Sequence, residues 1–155
     1  MSGTATVLTV VLLFAIVFPA IWLGVTTLIA KVGGWSRLER DFPDRPNATT
    51  LKRFRFSNGH LGHPLFGASY SGILTFEVCE AGLRIRVWKL FGWFSNPLFL
   101  PWDRFRTERY QWFIWDACRI YWGPETRDSM IIYRRLAERL ALASDGRFGS
   151  PDQGR

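Results

Sequence analysis

Cysteine and histidine are scarce in this sequence, which has two residues of each. Cys79 and Cys118 lie far apart and outside any CxxC pattern, which argues against a disulfide framework or a thiol redox motif. Their apolar neighbours predict buried free thiols. His60 and His63, in "HLGH", could join the cysteines as zinc ligands, but structural zinc sites usually contain two closely spaced pairs. We therefore predict two exposed loop histidines and no metal site.

Catalytic signatures are also lacking. The phosphate-binding pattern GxxxxGK(S/T) and the dinucleotide-binding pattern GxGxxG do not occur. The stretch "GASYSG" is similar to the GxSxG of serine hydrolases, but Ser71 occupies the position of the second glycine. Since no pair of carboxylates stands in a recognisable motif either, the sequence predicts no catalytic residue and no cofactor.

Charge is missing from the first thirty residues, because all 20 lysines and arginines lie at or after Lys31, and with them the net charge of +7. A basic surface suits nucleic acid, anionic lipid or an acidic partner. Arginines alternate with aromatic residues in "LKRFRF" and "DRFRTERYQW", as on sheets that stack bases. The alternation, however, places the aromatic rings on the face opposite the arginines. We therefore interpret the rings as core and predict no nucleic-acid partner.

The uncharged stretch contains an apolar run from Val7 to Ala30, 24 residues long. As a helix this run rises about 36 Å, which exceeds the roughly 30 Å hydrocarbon core of a bilayer. A transmembrane helix is therefore predicted over 7–30, after a short tail over 1–6. The alternative is a cleaved signal peptide, but no lysine or arginine precedes the run, and Leu28 stands where cleavage needs a small residue. We expect an uncleaved anchor.

The residues that follow the run predict its orientation. Lys31, Arg37 and Arg40 lie close to its C-terminal end. Positive charges near a membrane helix favour the cytosolic side. We therefore predict that the N-terminus lies outside and that the rest of the chain lies on the cytosolic face of the plasma membrane.

The juxtamembrane segment, 31–50, combines a helix break, a short helix and a linker. The glycine pair 33–34 is expected to end the first helix, and Trp35 to lie at the membrane interface. Ser36 and Glu39 match a capping box, which predicts a short second helix over "SRLERDF". The stretch "PDRPNATT" is rich in turn residues and is interpreted as the linker to a folded domain.

Alternation with period two predicts half-buried strands beyond the linker. The alternating apolar positions are Phe54 and Phe56, then Leu74, Phe76 and Val78, then Leu83, Ile85 and Val87. The residues "EAG" separate the last two segments at hairpin-loop length, so "ILTFEVC" and "LRIRVW" are predicted to pair antiparallel. Further strands are expected at 98–100, 104–110 and 113–122.

The end of the domain carries a helical pattern. In "SMIIYRRLAERLALAS" the residues Ile132, Leu136 and Leu140 recur at helical spacing, which predicts a closing amphipathic helix. Strands first and one helix last indicate an α+β domain over 51–144, in which the helix packs on a curved antiparallel sheet or closes a small barrel. A flexible tail is predicted over 145–155.

This order of elements, together with "GGWSRL", "EAGLRIRV" and "NPLFLPWDRF", resembles small bacterial single-pass membrane proteins with a pleckstrin-homology-like domain. The resemblance implies a strongly bent sheet capped by a helix, and it places the chain in the bacterial inner membrane. Some eukaryotic relatives of such domains bind phosphoinositides. The fold expects a seventh strand, and the residues before the last helix fit either that strand or the helix.

One stretch predicts a contact surface. The segment 88–102, "WKLFGWFSNPLFLPW", holds six aromatic residues and a single charge, Lys89. Turn-forming residues within it place Phe91, Trp93 and Phe94 near the tip of a turn. Either the turn folds back over the domain core, or these rings form a surface that contacts the bilayer or a membrane protein.

The sequence as a whole predicts a membrane-anchored, non-catalytic interaction module that binds a protein partner on the cytosolic face. The alternative is recognition of anionic lipid headgroups by two arginine pairs, Arg53 with Arg55 and Arg104 with Arg106. An enzyme of unrecognised type is third.

Overall fold

The computed structural model describes residues 3–32, 34–65, 67–93, 95–123 and 129–149. The helices within these ranges are α1 (Gly3–Val32), α2 (Trp35–Asp41) and α3 (Arg134–Ala143). The strands are β1 (Thr50–Leu61), β2 (Ala68–Cys79), β3 (Gly82–Val87), β4 (Leu98–Pro101), β5 (Arg106–Trp112), β6 (Trp115–Tyr121) and β7 (Ser129–Tyr133). A long apolar helix is thus followed by a short helix, a seven-stranded sheet and a closing helix.

Helix α1 extends beyond the predicted 7–30 at both ends. Its portion Gly3–Val25 is long and apolar enough to cross a membrane. The most apolar stretch of this portion is not buried within the protein. Pro19 lies inside the helix without ending it. The large apolar side chains of this portion, such as Phe14 and Leu13, are exposed. An uncovered apolar helix of this length is suited to a bilayer rather than to water.

The junction between α1 and α2 confirms the predicted helix break and corrects the predicted cap. Gly34 adopts a φ of 86°, in the left-handed region that favours glycine, and α2 begins at the next residue. Because the helix starts at Trp35, Ser36 lies inside it and does not cap it. The carboxylate of Glu39 accepts a hydrogen bond from the backbone N–H of Asn96 at 2.7 Å instead of closing a capping box.

Helix α2 packs into the core through Trp35 and Leu38, which share one face and are both buried. The indole N–H of Trp35 donates to the carbonyl of Asn96 at 3.1 Å, and its ring centroid lies 5.6 Å from that of Tyr70. Trp35 is fully buried, so the expectation of an interfacial tryptophan was wrong. Its hydrogen bond satisfies the one polar atom that burial of an indole would otherwise leave unpaired.

The strands form one antiparallel sheet, curled into a half-barrel, in the order β4-β3-β2-β1-β7-β6-β5. Strand β1 joins its two halves, because it pairs with β2 along most of its length and with β7 at its end, through His60 opposite Ile131. The predicted β2–β3 hairpin is confirmed, with Phe76 opposite Ile85. An apolar helix, a curved antiparallel sheet and a C-terminal helix agree with the predicted α+β class.

A bulge in β1 changes the face of the sheet on which Phe56 lies, against the prediction. Phe54 and Phe56 were expected to point the same way, but the register of β1 against β2 shifts between Phe54 and Ser57. Phe56 has a φ of 54°, which turns its side chain out of the alternation. Phe54 is consequently buried, whereas the side chain of Phe56 is 71% exposed.

The last predicted helix divides into a strand and a shorter helix. Residues Ser129–Tyr133 form β7, and α3 begins only at Arg134. The strand forms because Met130 and Ile131 pair with β1 on one side and with β6 on the other, which outweighs the helical spacing of the apolar residues. Ala137 and Leu140 of α3 are buried, in agreement with the predicted amphipathic helix.

The predicted tail, 145–155, begins as part of the packed domain. Phe148 is buried, its ring centroid lies 5.9 Å from that of Phe105, and its carbonyl accepts a hydrogen bond from the hydroxyl of Thr107. Apolar burial of this ring holds the chain against the sheet after α3 has ended. Residues 150–155 lie outside the described part of the chain.

Candidate contact surface beside the apolar helix

The connection between β3 and β4 is built from tight turns that fix its aromatic side chains. The backbone N–H groups of Phe91 and Gly92 both donate to the carbonyl of Trp88, and that of Ser95 donates to Gly92. Gly92 is required here because a Cβ atom would lie 2.7 Å from Cγ1 of Val87. The chain therefore folds back tightly at the end of β3, which fixes the path of the backbone that carries these rings.

This connection lies against α1. The ring centroids of Trp22 and Phe91 are 5.6 Å apart, and the indole N–H of Trp22 donates to the carbonyl of Leu90 at 3.5 Å. Phe91 in turn contacts Trp88, at 5.5 Å between centroids. A continuous row of rings therefore leads from the apolar helix to the end of β3.

The same connection carries a group of exposed apolar side chains. Trp93 is 72% exposed, and Trp88 and Leu90 are about half exposed at 50% and 55%. Phe56, turned outward by the bulge in β1, packs edge-on against Trp88 at 6.2 Å between centroids. We call Phe56, Trp88, Leu90, Phe91 and Trp93 the aromatic patch.

Of the predicted contact residues, Phe91 and Trp93 belong to the aromatic patch, and Phe94 lies outside the described residues. Phe91 is half-buried because it lies between Trp88 and Trp22, whereas Trp93 faces outward. Phe56 was not predicted as a contact residue, because only the bulge in β1, which depends on pairing with β2, turns it away from the core face.

Arg53 and Arg55, predicted as anion contacts, lie in different surroundings. Arg55 is exposed. The guanidinium of Arg53 lies 2.8 Å from the carboxylate of Glu77, which is itself buried. Arg84 and Arg86 contact the same carboxylate at 3.2 and 3.4 Å. Arg53 therefore serves to neutralise a buried charge, as buried carboxylates require.

The charge cluster around Glu77 also holds the linker to the sheet. Arg84 is buried and lies 2.7 Å from the carboxylate of Asp44, and it donates a further hydrogen bond to the carbonyl of Arg45. Both linker residues lie in the turn-rich segment that the sequence indicated. The buried pair Glu77–Arg84 thus fixes the path of the chain between α2 and β1.

Arg104 and Arg106 are also separate from each other. Arg106 is exposed, with its guanidinium 5.1 Å from the ring of Tyr121. Arg104 instead lines a groove of about 700 Å³ together with Arg37 and Arg45. The remaining groove residues include Asp41, Asp44, Phe99, Pro101 and Trp122. The groove therefore joins a predicted anion contact to a predicted orientation residue. It also contains Arg45, which no pattern in the sequence indicated.

The other two orientation residues are Arg40 and Lys31. Arg40 is exposed in the last turn of α2. The side chain of Lys31 lies outside the described part of the structure. In the chain, Lys31 lies in the last turn of α1 and Arg40 lies in α2.

A second exposed apolar group lies at the tip of the β5–β6 hairpin, where a strand was predicted to begin. Phe113, Ile114 and Trp115 are 80%, 82% and 60% exposed. Phe113 adopts a positive φ of 54° in the two-residue turn. Four consecutive apolar residues, "WFIW", were the available signal, because a hairpin turn is ordinarily polar.

The histidines and cysteines differ in how well they were predicted. His60 lies in β1 and is buried, so the expectation of an exposed loop residue was wrong for it, and His63 is half-buried. Cys79 and Cys118 are buried free thiols, as predicted. Burial raises the pKa of the Cys118 thiol to about 12. Within the described residues no group of three His, Cys, Asp or Glu side chains is placed to hold a metal ion.

No protein-family model matches the chain, and no curated protein shows detectable similarity to it.

Proposed function

We propose that the chain is a membrane-anchored, non-catalytic interaction module that binds a protein partner through the aromatic patch. In this proposal α1 crosses the bacterial inner membrane once, and a pleckstrin-homology-like domain is displayed on the cytosolic face. The observation that carries the proposal is the contact between Trp22 and Phe91, because it holds exposed rings beside the apolar helix.

The composition of the patch supports protein contact. Interface centres are enriched in tryptophan, tyrosine and phenylalanine, and exposed apolar groups of this size usually mark contact sites. Trp93 and Phe56 are the most exposed members, at 72% and 71%. Phe56 is held by the bulge and by its edge-on contact with Trp88, so ordering its ring on binding costs little conformational entropy.

The position of the patch restricts the partner. Trp22 lies near the end of the portion Gly3–Val25 that is suited to a membrane. Because the patch contacts Trp22, it lies close to the membrane surface when α1 spans the bilayer. The partner is therefore a membrane protein, or a protein held at the membrane surface.

The fold and the flanking charges support the rest of the proposal. A half-barrel followed by a C-terminal helix is the arrangement that pleckstrin-homology-like domains share. Arg37 and Arg40 follow α1 and favour a cytosolic domain. These features are consistent with a domain that is displayed by a single membrane helix.

The test is copurification of the full chain from mildly solubilised membranes after crosslinking. A partner is expected with the wild-type chain and is expected to be lost with Trp93→Ala. Leu142→Ala is the matched control, because Leu142 is 81% exposed on α3, outside the patch. A partner captured equally by wild type and Trp93→Ala would contradict the proposal.

Anionic lipid headgroups are the second candidate ligand, and the groove lined by Arg37, Arg45 and Arg104 favours them. Three guanidinium groups supply charge and donors for a phosphate, and the groove includes a residue of α2, directly after the apolar helix. Two aspartates line the same groove and weaken its positive field. Native mass spectrometry of the full chain with phosphatidylglycerol tests this: Arg104→Gln should release the lipid, whereas Arg139→Gln, outside the groove, should retain it. Equal retention by both variants argues against the groove.

A further inference from the structure

The tip of the β5–β6 hairpin exposes large apolar side chains. Phe113 and Ile114 form the two-residue turn between the paired residues Trp112 and Trp115. The side chains of Phe113 and Ile114 are 80% and 82% exposed, and that of Trp115 is 60% exposed. We call Phe113, Ile114 and Trp115 the apolar tip. Burial in the core therefore does not account for these three side chains.

The backbone of the turn leads to the same conclusion. Phe113 has a φ of 54°, in a region where glycine and asparagine are favoured because larger side chains are strained there. Polar residues ordinarily occupy such a turn. A phenylalanine at this position strains the backbone and also places its ring in solvent. A contact outside the chain accounts for the ring better than folding does.

The hairpin is packed against the sheet below its tip. The ring of Trp112 meets that of the buried His60 edge-on, at 4.7 Å between centroids. On the same hairpin, the buried guanidinium of Arg119 lies 3.9 Å from the centre of the Tyr110 ring. The apolar tip therefore projects from a packed base.

The apolar tip lies beside β1 and β2, which also adjoin the aromatic patch and α1. Phe113 and Trp115 line one pocket together with Asn58 of β1 and Ser71 of β2. Asn58 is two residues from Phe56, a member of the aromatic patch. Helix α1 lies against the same strand, β2. The region of the domain that adjoins the apolar helix therefore also carries the apolar tip.

The base of the hairpin carries a small positive charge. The carboxylate of Asp116 lies 3.8 Å from the guanidinium of Arg109 and 3.6 Å from that of Arg134. Arg134 also pairs with Glu138, at 2.7 Å, and the next residue, Arg135, is exposed. Three arginines thus accompany two carboxylates. This balance suits the anionic phosphates of a bacterial membrane.

The small size of the apolar tip favours lipid over protein as its contact. A stable protein interface takes about 800 Å² from each partner, which is more than three side chains of one projecting turn supply. A bilayer surrounds a projecting group on all sides, and tryptophan is enriched at its interface. A domain that is already tethered to the membrane needs only a weak second contact, because tethering raises the effective concentration.

We propose that the apolar tip inserts into the lipid bilayer that α1 spans and forms a second point of membrane attachment for the domain. Phe113 and Ile114 enter the acyl region, and Trp115 lies at the level of the headgroups. The inference rests on the proposed anchoring by α1, but it does not depend on a protein partner of the aromatic patch.

A nitroxide label measures the insertion in the full chain, reconstituted in nanodiscs of phosphatidylethanolamine and phosphatidylglycerol. Cys79 and Cys118 are buried, so the label reaches an introduced cysteine. Three separate variants carry it: Ile114→Cys in the apolar tip, Leu142→Cys on α3 as the reference in water, and Leu13→Cys in α1 as the reference in the bilayer. The collision rate with a water-soluble nickel complex reports how far each label is exposed to water.

The label at position 114 should collide with the nickel complex at least about fivefold less often than the label at position 142, because a polar complex is excluded from the acyl region. Adding Phe113→Asn should raise the rate at position 114 towards that at position 142. Asparagine tolerates the positive φ of the turn, so this variant removes the ring and keeps the hairpin. Leu142→Asn is the matched control, since it removes an equally exposed apolar side chain from α3, and it should leave the rate at position 114 unchanged.

Three results would overturn the proposal. Equal rates at positions 114 and 142, with position 13 protected, would place the apolar tip in water while leaving the anchor intact. Unchanged protection of position 114 in Phe113→Asn would show that the label, and not the tip, enters the bilayer. An unprotected position 13 would contradict the anchoring by α1 and, with it, the insertion of the tip.

Discussion

The indole of Trp22 and the ring of Phe91 lie 5.6 Å apart and thereby join the apolar helix to the end of β3. The indole N–H adds a hydrogen bond to the carbonyl of Leu90. This contact places the exposed rings of the aromatic patch beside the apolar helix. The energetic coupling between Trp22 and Phe91 can therefore be measured.

A double-mutant cycle should detect this coupling. Trp22→Ala and Phe91→Ala are expected to interact by about 0.5–1.5 kcal/mol, the usual contribution of an aromatic pair. The measurement is the free energy of unfolding of the full chain in detergent micelles. The matched cycle pairs Trp22→Ala with Trp115→Ala, whose ring lies on the distant β5–β6 hairpin, and should be additive. Additive effects for Trp22 and Phe91 would mean that the domain is not held against the helix.

Removing the buried carboxylate should destabilise the domain strongly. Glu77→Gln removes the fully buried carboxylate from its pair with Arg84 and leaves that guanidinium only Asp44, and breaking a buried ion pair from one side costs about 3–5 kcal/mol. Urea unfolding of the full chain provides the measurement. Glu108→Gln is the control, since its exposed pairing with Arg106 at 3.7 Å is worth about 0–1 kcal/mol. Similar losses for both variants would contradict the role given to the buried cluster.

Stability should fall in alkaline solution. Burial raises the pKa of Cys118 from 9.0 to about 12, and burial with Glu39 raises that of Tyr70 from 10.0 to about 12. Both groups hold their protons longer in the folded chain, so their contribution is complete below about pH 9 and is lost as the pH rises towards 12. Cys118→Ala should flatten the decline in the free energy of unfolding over this range. An unchanged slope would show that the thiol titrates normally.

The rings of the aromatic patch should matter little for folding. Trp93→Ala should change the free energy of unfolding by less than about 0.5 kcal/mol, because the side chain is 72% exposed. Phe76→Ala, which removes a fully buried ring, should cost about 3–5 kcal/mol. Urea unfolding of the two variants, side by side, makes the comparison. If Trp93→Ala lowers the free energy of unfolding as much as Phe76→Ala does, the Trp93 ring is part of the core and not of a contact surface.

Reporter fusions test the proposed orientation of the chain in the membrane. An enzyme that is active only in the cytosol, fused after Arg155, should be active if the domain lies inside. Neutralising Lys31, Arg37 and Arg40 together should weaken that bias. Activity of an exported reporter at the same position would reverse the orientation.

Local patterns in the sequence predicted the elements that depend on local interactions. The apolar helix follows from an uncharged run, and the β2–β3 hairpin follows from alternation on both sides of "EAG". Each pattern lies within a single segment, so its meaning does not depend on distant partners.

The remaining features depend on pairing between distant segments. Phe56 leaves the core face because β1 bulges against β2, and Ser129–Tyr133 becomes a strand because it completes the sheet between β1 and β6. His60 is buried for the same reason, through its pairing with Ile131. A pocket of about 290 Å³ beside the His60 ring is lined by residues of five strands, so no single segment of the sequence could predict it.

The proposed contact between the aromatic patch and a protein at the membrane can be tested in intact cells. The most direct test places a photo-crosslinking amino acid at position 93 of the full chain in intact cells, with position 142 as the control. We expect one discrete protein adduct from position 93 and none from position 142. Adducts with lipid alone at position 93, or the same protein adduct from both positions, would contradict it.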